Sequence, residues 1–580
     1  MNKDSRSIRD AVEARLARRH RAEKRFQFYG LAAIALAVGF LALLLVSIIG
    51  QSVTAFSAHR ITLPVTLEAD LVDPAGDLSE ESLRAGQYNA AIQAALRQQF
   101  PGVEERPALR ELFGLYSAVN AARLLNTVVD DPGLVGGTVD FTLPLGDDAD
   151  LYLKGATVEE SLRRGPAPLS IMFEDGGARL SSDAAVFGDF AETVRRVAGA
   201  RIDTALARAS AAEAQAETLT DADEREILLA EAERARALAA TLESRAYGTD
   251  GLTLSPQTPS LLVRAAGGVF ALEQIEPGAA SARASVIVAP DAPLTGPVSD
   301  WTLWEIETPP AARLITDRQI AWTRTLEARG LIENGFNHWL FTNADSREPE
   351  LAGILGALIG SILTMIVTMF LAVPIGVGAA IYLEEFAPKN RFTDFIEVNI
   401  NNLAAVPSIV FGLLGLAVFI NVFGMPRSAP LLGGMVLALM TLPTVIISSR
   451  AALKAVPPSI REAALGVGAS RTQAVFHHVL PLAAPGILTG SIIGLAQALG
   501  ETAPLLMIGM VAFIADPPSL GLSGFTEPAT VMPVQIFLWS TGAERAFEAR
   551  TAAAILILLF VMILFNAVAI YLRRRFERRW

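Results

Sequence analysis

Six apolar runs, each about as long as a bilayer is thick, limit what this chain can fold into: residues 28–50, 351–384, 395–422, 431–449, 485–514 and 551–572. A hydrocarbon core about 30 Å thick takes about 20 helical residues at 1.5 Å each. In that medium a lone segment satisfies its own backbone only as a helix, so each run is expected to cross as one. Composition points the same way. With 52% hydrophobic and 19% charged residues over 580 positions, the chain is too apolar for an ordinary soluble protein and too charged for membrane helices alone. The expected fold class is an α-helical membrane protein with six transmembrane helices and an α+β soluble insert between helices 1 and 2.

Charge sets the expected orientation. Residues 1–27 carry Arg6, Arg9, Arg15, Arg18, Arg19, Arg21, Lys24 and Arg25, and residues 573–580 carry Arg573, Arg574, Arg575, Arg578 and Arg579. Under the positive-inside rule both tails read as cytoplasmic, with a helix lying on membrane lipid as the alternative for the first. The run 28–50 is longer than the apolar region of a cleaved signal peptide, so it reads as a retained helix. Six crossings place both tails on one side together with Lys389, Arg391, Lys454 and Arg471. Residues 51–350 hold 45 Asp+Glu against 25 Lys+Arg, a net of −20, and no spanning run, so they are expected outside, in the periplasm. There, 61–67 and 285–288 read as strands, 79–100 and 108–125 as helices, and 190–247 as a helical hairpin turning at 218–223.

Several chemistries are excluded. The chain has no Cys, and its five His form no metal-ligand spacing such as H-E-x-x-H. No G-x-x-x-x-G-K-[ST] occurs, so ATP is not expected to be hydrolysed here by that route. No catalytic residue, metal site or cofactor is assigned, and nothing points to nucleic acid. Polar groups inside the apolar runs draw more notice. Glu501 is an acid within 485–514, and Gln497 shares its helical face at i−4. Gly500 and Pro504 loosen the backbone around the pair. Asn401, Asn402 and Ser408 place polar groups in 395–422, where Pro407 frees a carbonyl. Pathway lining and plain helix–helix hydrogen bonding both account for them. Gly412 and Gly415 read as close helix packing, and Pro374, Gly376 and Gly378 as an interruption of 351–384.

Between two apolar runs lies a polar loop, 451–482. It reads Arg461-Glu462-Ala463-Ala464, then Gly468, then His478, Leu480 and Pro481. Taken alone it is a helix–turn–helix connector at the membrane surface, its second helix Arg471–Val479 expected to break at Pro481 and Pro485. The spacing from Glu462-Ala463-Ala464 through Gly468 to Leu480-Pro481 resembles the cytoplasmic loop of ABC-importer permeases, with His478 departing from an apolar position. Val406-Pro407-Ser408-Ile409-Val410-Phe411-Gly412 and Gly500-Glu501-Thr502-Ala503-Pro504-Leu505-Leu506 resemble the PstA-type subunit of phosphate importers. The blocks fall within 351–572, under half of the chain.

That resemblance implies a permease moving inorganic phosphate by alternating access. Glu462, Ala463, Ala464, Gly468, Leu480 and Pro481 would couple it to an ATP-binding subunit dimer, which would hold the ATP-Mg. Gln497, Glu501, Thr502, Ser408 and Asn402 would line the path. A second permease subunit of the PstC type and a periplasmic phosphate-binding protein are the other implied partners. The family commonly carries Arg at the position of Gln497. A permease for another oxyanion is the near alternative. A membrane-anchored receptor with a periplasmic domain is the distant one, and it leaves five membrane helices and the loop spacing unused.

Overall fold

The structure, a computed structural model, describes residues 4–576 apart from 175, 220, 295 and 512. Arg578 and Arg579 of the basic C-terminal tail lie outside the described residues. The chain forms two compact units, one of residues 58–335 and one of the chain up to Ser57 together with Phe336 onward.

Among the described residues, the second of these contains five helices long and apolar enough to cross a membrane: 22–55, 355–386, 430–454, 471–500 and 546–575. A sixth crossing exists if the pair Arg391–Ala404 and Ser408–Ile420, bent by 104°, counts as one broken span. The run 395–422 is therefore not one helix. Pro407 has no N–H to give and disfavours helical backbone at the residue before it, so the helix ends at Ala404 and restarts at Ser408. The run 485–514 is likewise shorter than expected. Its helix stops at Gly500, Glu501 is extended with ψ 123°, and a short helix Ala503–Met507 restarts with Pro504 in its first turn.

Other prolines do not interrupt. The helix Leu355–Ile381 runs through Pro374, and Pro430–Lys454 runs through Pro443. Helix Arg471–Ala474 continues through a wider π turn, Val475–Val479, into Leu480–Gly500, so neither Pro481 nor Pro485 breaks it. Pro481 falls in the first turn after the π segment, where the changed hydrogen-bond register accommodates its missing N–H. The helices around 355–381 and 430–454 are held at close range by a small residue. A Cβ on Gly434 would stand 2.8 Å from the carbonyl oxygen of Thr364.

The unit 58–335 is α+β. A three-stranded sheet orders Ile332–Phe336, Ser57–Thr66 and Thr138–Pro144, and inward-facing Leu63 and Val65 pack with Ile92, Leu96, Leu112 and Trp322 from the helices. A larger sheet runs Glu160–Arg164, Trp301–Ile306, Ser260–Ala265, Gly268–Ile275, Ser281–Val288, Gly177–Ser181, Ser170–Glu174. The segment 79–100 is two helices, Glu80–Arg84 and Tyr88–Gln98. At the corner between them, a Cβ on Gly86 would meet the carbonyl oxygen of Val72 at 2.5 Å. The segment 108–125 also divides, into Arg106–Phe113 and Ala121–Asp130. The hairpin is Gly188–Thr218 and Ala222–Tyr247, the second helix capped by Asp221. Ala209, Ala212, Ala232 and Ala235 form a seam between its arms, flanked by the ion pairs Arg208–Glu231 at 2.6 Å and Arg236–Glu213 at 2.5 Å.

One buried charge cluster fixes the strand Ser57–Thr66 against the helix Asp147–Leu153. Asp150 accepts from the His59 backbone N–H at 2.9 Å, pairs with His59 Nδ1 at 2.9 Å and accepts from Lys154 Nζ at 2.6 Å. Burial pushes the Asp150 carboxyl up, but the bonds from His59 and the Lys154 ammonium outweigh it and hold it below the ordinary carboxylate range. A depressed carboxyl stabilises the fold above its unfolded-state value, and that contribution disappears as pH falls through its own lower value. Lys154→Met is expected to cost about 3–5 kcal/mol at neutral pH, as breaking a buried pair does. The difference from the parent shrinks as Asp150 protonates in acid. Urea unfolding of the full chain in detergent measures it, and an equal deficit at acid and neutral pH would rule the charge out as the cause.

Candidate functional site

The two breaks in the membrane helices meet. A cavity of about 150 Å³ is lined by Leu403, Ala404, Val406, Ser408 and Phe411 from the first break, Met440 and Thr444 from Pro430–Lys454, and Gln497 and Glu501 from the second. Breaking a helix leaves backbone groups without intrahelical partners, and such backbone is tolerated at membrane depth where it is packed in protein or faces a polar hollow. The breaks are pressed together. A Cβ on Gly412 would lie 2.7 Å from both Cα and O of Pro504. Glycine at 412 is what lets the two restarting helices touch.

The geometry groups the candidate path residues unevenly. Ser408, Gln497 and Glu501 share the cavity, whereas Asn402 and Thr502 are not among its lining residues. Asn402 is exposed near the end of Arg391–Ala404, and Thr502 is the residue before the short helix Ala503–Met507. Glu501 sits at a helix end rather than inside a helix, because Gly500 and Pro504 bracket the break. Sequence reasoning missed Thr444 and Met440. A threonine one residue after Pro443 in an apolar run was the available signal, and only the packing of three helices turns it toward the hollow.

The polar loop forms a short exposed helix, Pro458–Gly466. Its end is a Schellman motif: Gly468 N–H bonds Leu465 O at 3.0 Å and Ala469 N–H bonds Ala464 O at 3.1 Å. Gly468 has φ +90°, so the glycine is required by this cap, with open space around it. Glu462 and Ala463 face outward, Ala464 is buried, and Leu480 and Pro481 are half-buried where the next helix continues. Leu465, Phe476 and Val467 add exposed apolar surface, Val467 at 87%. Ser470 caps the next helix with a capping box to Gln473. The result is an exposed knob that carries Glu462 beside the apolar Leu465 and Val467.

Comparison with known proteins divides the chain. Residues 372–580 match the family model "Binding-protein-dependent transport system inner membrane component", and residues 13–162 match "Domain of unknown function (DUF3333)". The "Phosphate transport system permease protein PstA 1" of Mycobacterium tuberculosis is 30% identical over 281 residues, covering 48% of this chain and 84% of that protein. The "Phosphate transport system permease protein PstA" of Haemophilus influenzae is 32% identical over 226 residues, covering 39% and 77%. The "Probable ABC transporter permease protein YqgI" of Bacillus subtilis is 29% identical over 258 residues, covering 42% and 86%.

The contact between the breaks gives a direct test. Gly412→Ala forces the backbone at Pro504 to move, and overpacking of this kind costs about 1–3 kcal/mol. Thermal unfolding in detergent is expected to shift down in G412A and not in G466A, where a Cβ would meet open space. Equal behaviour of the two variants would show that the breaks are not in contact.

Proposed function

This chain belongs to the PstA-type permeases of binding-protein-dependent ABC importers, and from that premise we propose that it forms part of the membrane path for inorganic phosphate and opens that path by alternating access. The observation that carries the proposal is the polar cavity between two broken helices, with Glu501, Gln497, Ser408 and Thr444 on its wall. An ionisable group at membrane depth costs roughly 2.5–3.5 kcal/mol, which favours a solvated or functional position over a purely structural one. The exposed helix Pro458–Gly466 is the docking knob for an ATP-binding subunit dimer, with Glu462 and Ala463 on its outer face. ATP binding closes that dimer, draws on the knob and turns the helices. Hydrolysis resets them.

Phosphate as cargo rests on the relatives named for phosphate transport. A second permease subunit of the PstC type completes the path, and a periplasmic phosphate-binding protein delivers the solute. Gln497 stands where the family commonly carries Arg, so this wall offers amide and hydroxyl donors in place of a cation. That substitution favours a second reading, transport of another oxyanion. Localisation follows from charge: an inner-membrane protein with residues 51–350 in the periplasm and the basic segments in the cytoplasm. Counting the bent pair 391–420 as one crossing gives the even number of spans that this arrangement requires.

Two measurements test the reading. A single Cys placed by Arg471→Cys is expected to resist a membrane-impermeant thiol reagent in intact cells and to react once the membrane is opened. Labelling from outside would overturn the topology. Glu501→Gln is expected to leave the assembled complex at normal abundance while lowering radiolabelled phosphate uptake, and Gln497→Arg to be tolerated. Normal uptake by Glu501→Ala at normal abundance would remove Glu501 from the path.

A further inference from the structure

The exposed helix Pro458–Gly466 has Ala464 as its one buried residue, and half-buried Ile460 packs against the apolar cluster at the span ends. Its firmest tie to the membrane helices is ionic. Arg461 Nε lies 3.1 Å from each oxygen of Glu385, and its Nη2 donates to Glu385 Oε1 at 2.6 Å. The same guanidinium donates to the carbonyls of Leu453 at 2.8 Å and Val456 at 2.7 Å. The Glu385 side chain is 8% exposed, so the pair is shielded from water and salt on that side. Glu385 lies in the π turn Tyr382–Phe386 that ends the span 355–386, and Leu453 lies at the end of Pro430–Lys454. One planar fork therefore fastens the knob to the ends of two membrane helices, a geometry that Lys, a point charge, does not reproduce. A neighbouring cluster ties the same ends together: Arg450 pairs with Glu397 at 2.6 Å and Glu384 at 3.5 Å, and Lys454 with Glu384 at 3.7 Å.

We infer that Arg461 and Glu385 are the transmission element of this subunit: the clamp makes the knob and the spans 355–386 and 430–454 move as one body. The inference rests on the permease reading above and adds to it two positioning residues that touch neither solute nor nucleotide. The second, Arg450-centred cluster keeps the two span ends in register, so a pull at Arg461 reaches Pro430–Lys454, the helix that carries Met440 and Thr444 on the cavity wall.

The chain contains no Cys, which allows a rescue experiment in the complete importer with cysteine-free partner subunits in proteoliposomes. Glu385→Gln is expected to lower the phosphate moved per ATP hydrolysed by at least roughly fivefold, the lower end of ordinary coupling, while hydrolysis continues. Arg461→Lys should fall between Glu385→Gln and the parent. Glu385→Cys combined with Arg461→Cys is expected to be uncoupled when reduced and to regain coupling when joined by a short, reducible bifunctional thiol reagent. General damage to the fold would not be repaired by a link at this one place. Failure of the link to restore coupling overturns the inference, as does an unchanged transport-to-hydrolysis ratio in Glu385→Gln. If Glu385→Gln does not assemble, the linked pair decides alone. A wild-type complex that moves a different solute overturns the phosphate reading, and the clamp is then judged by the same ratio with that solute.

Discussion

Water is missing from the hydrocarbon of a bilayer, and every peptide group placed there has to find its partner within the protein. Most of the membrane unit obeys by staying helical, even through Pro374, Pro443 and Pro485. Two places do not, at 405–407 and at 501–502, and the fold brings both to one hollow. The helices that restart after the two breaks lie against each other, with Gly412 on Pro504. Breaks that were far apart would each need separate compensation. Together they enclose a polar space that a set of unbroken apolar helices would lack.

The same constraint explains where the charges sit. Glu501 is at a helix end beside the cavity, while Glu384, Glu385, Glu397, Arg450, Lys454 and Arg461 gather where spans end and the exposed helix begins. At that level charged groups can pair in partly dried surroundings without being carried into lipid. The membrane unit thus has one weakly charged hollow and one strongly paired junction. The first suits brief contact with a solute, and the second suits lasting mechanical connection.

The unit 58–335 is built on different terms. Its two sheets and its helices bury Trp301, Trp304 and Trp322 almost completely, and its hairpin is held by alanines with arginine–glutamate pairs at the flanks. The match of residues 13–162 to a domain of unknown function begins ahead of the first membrane helix and ends inside this unit.

Much of this was legible in residues alone. Hydropathy over about 20 positions marks a membrane helix without reference to any neighbour, because the solvent acts on each segment independently. The helical hairpin, the α+β character of the insert and the motif Glu462-Ala463-Ala464 through Pro481 were readable for similar local reasons. Where helices stop was not. Pro407 lies at a helix break and Pro374 inside a continuous helix, although both lie in apolar runs. The split of 79–100 also involves another part of the chain, as Gly86 approaches Val72 closely. The cavity assembles from runs 30 to 100 residues apart, so Thr444 joins Glu501 through packing, and no spacing records it. Arg461 and Glu385 are 76 residues apart, and their charges are unremarkable in sequence. Local physics determined which segments enter a membrane, and tertiary packing decided where they break and what holds them, because a backbone group removed from water takes its partner from whatever the fold brings within reach.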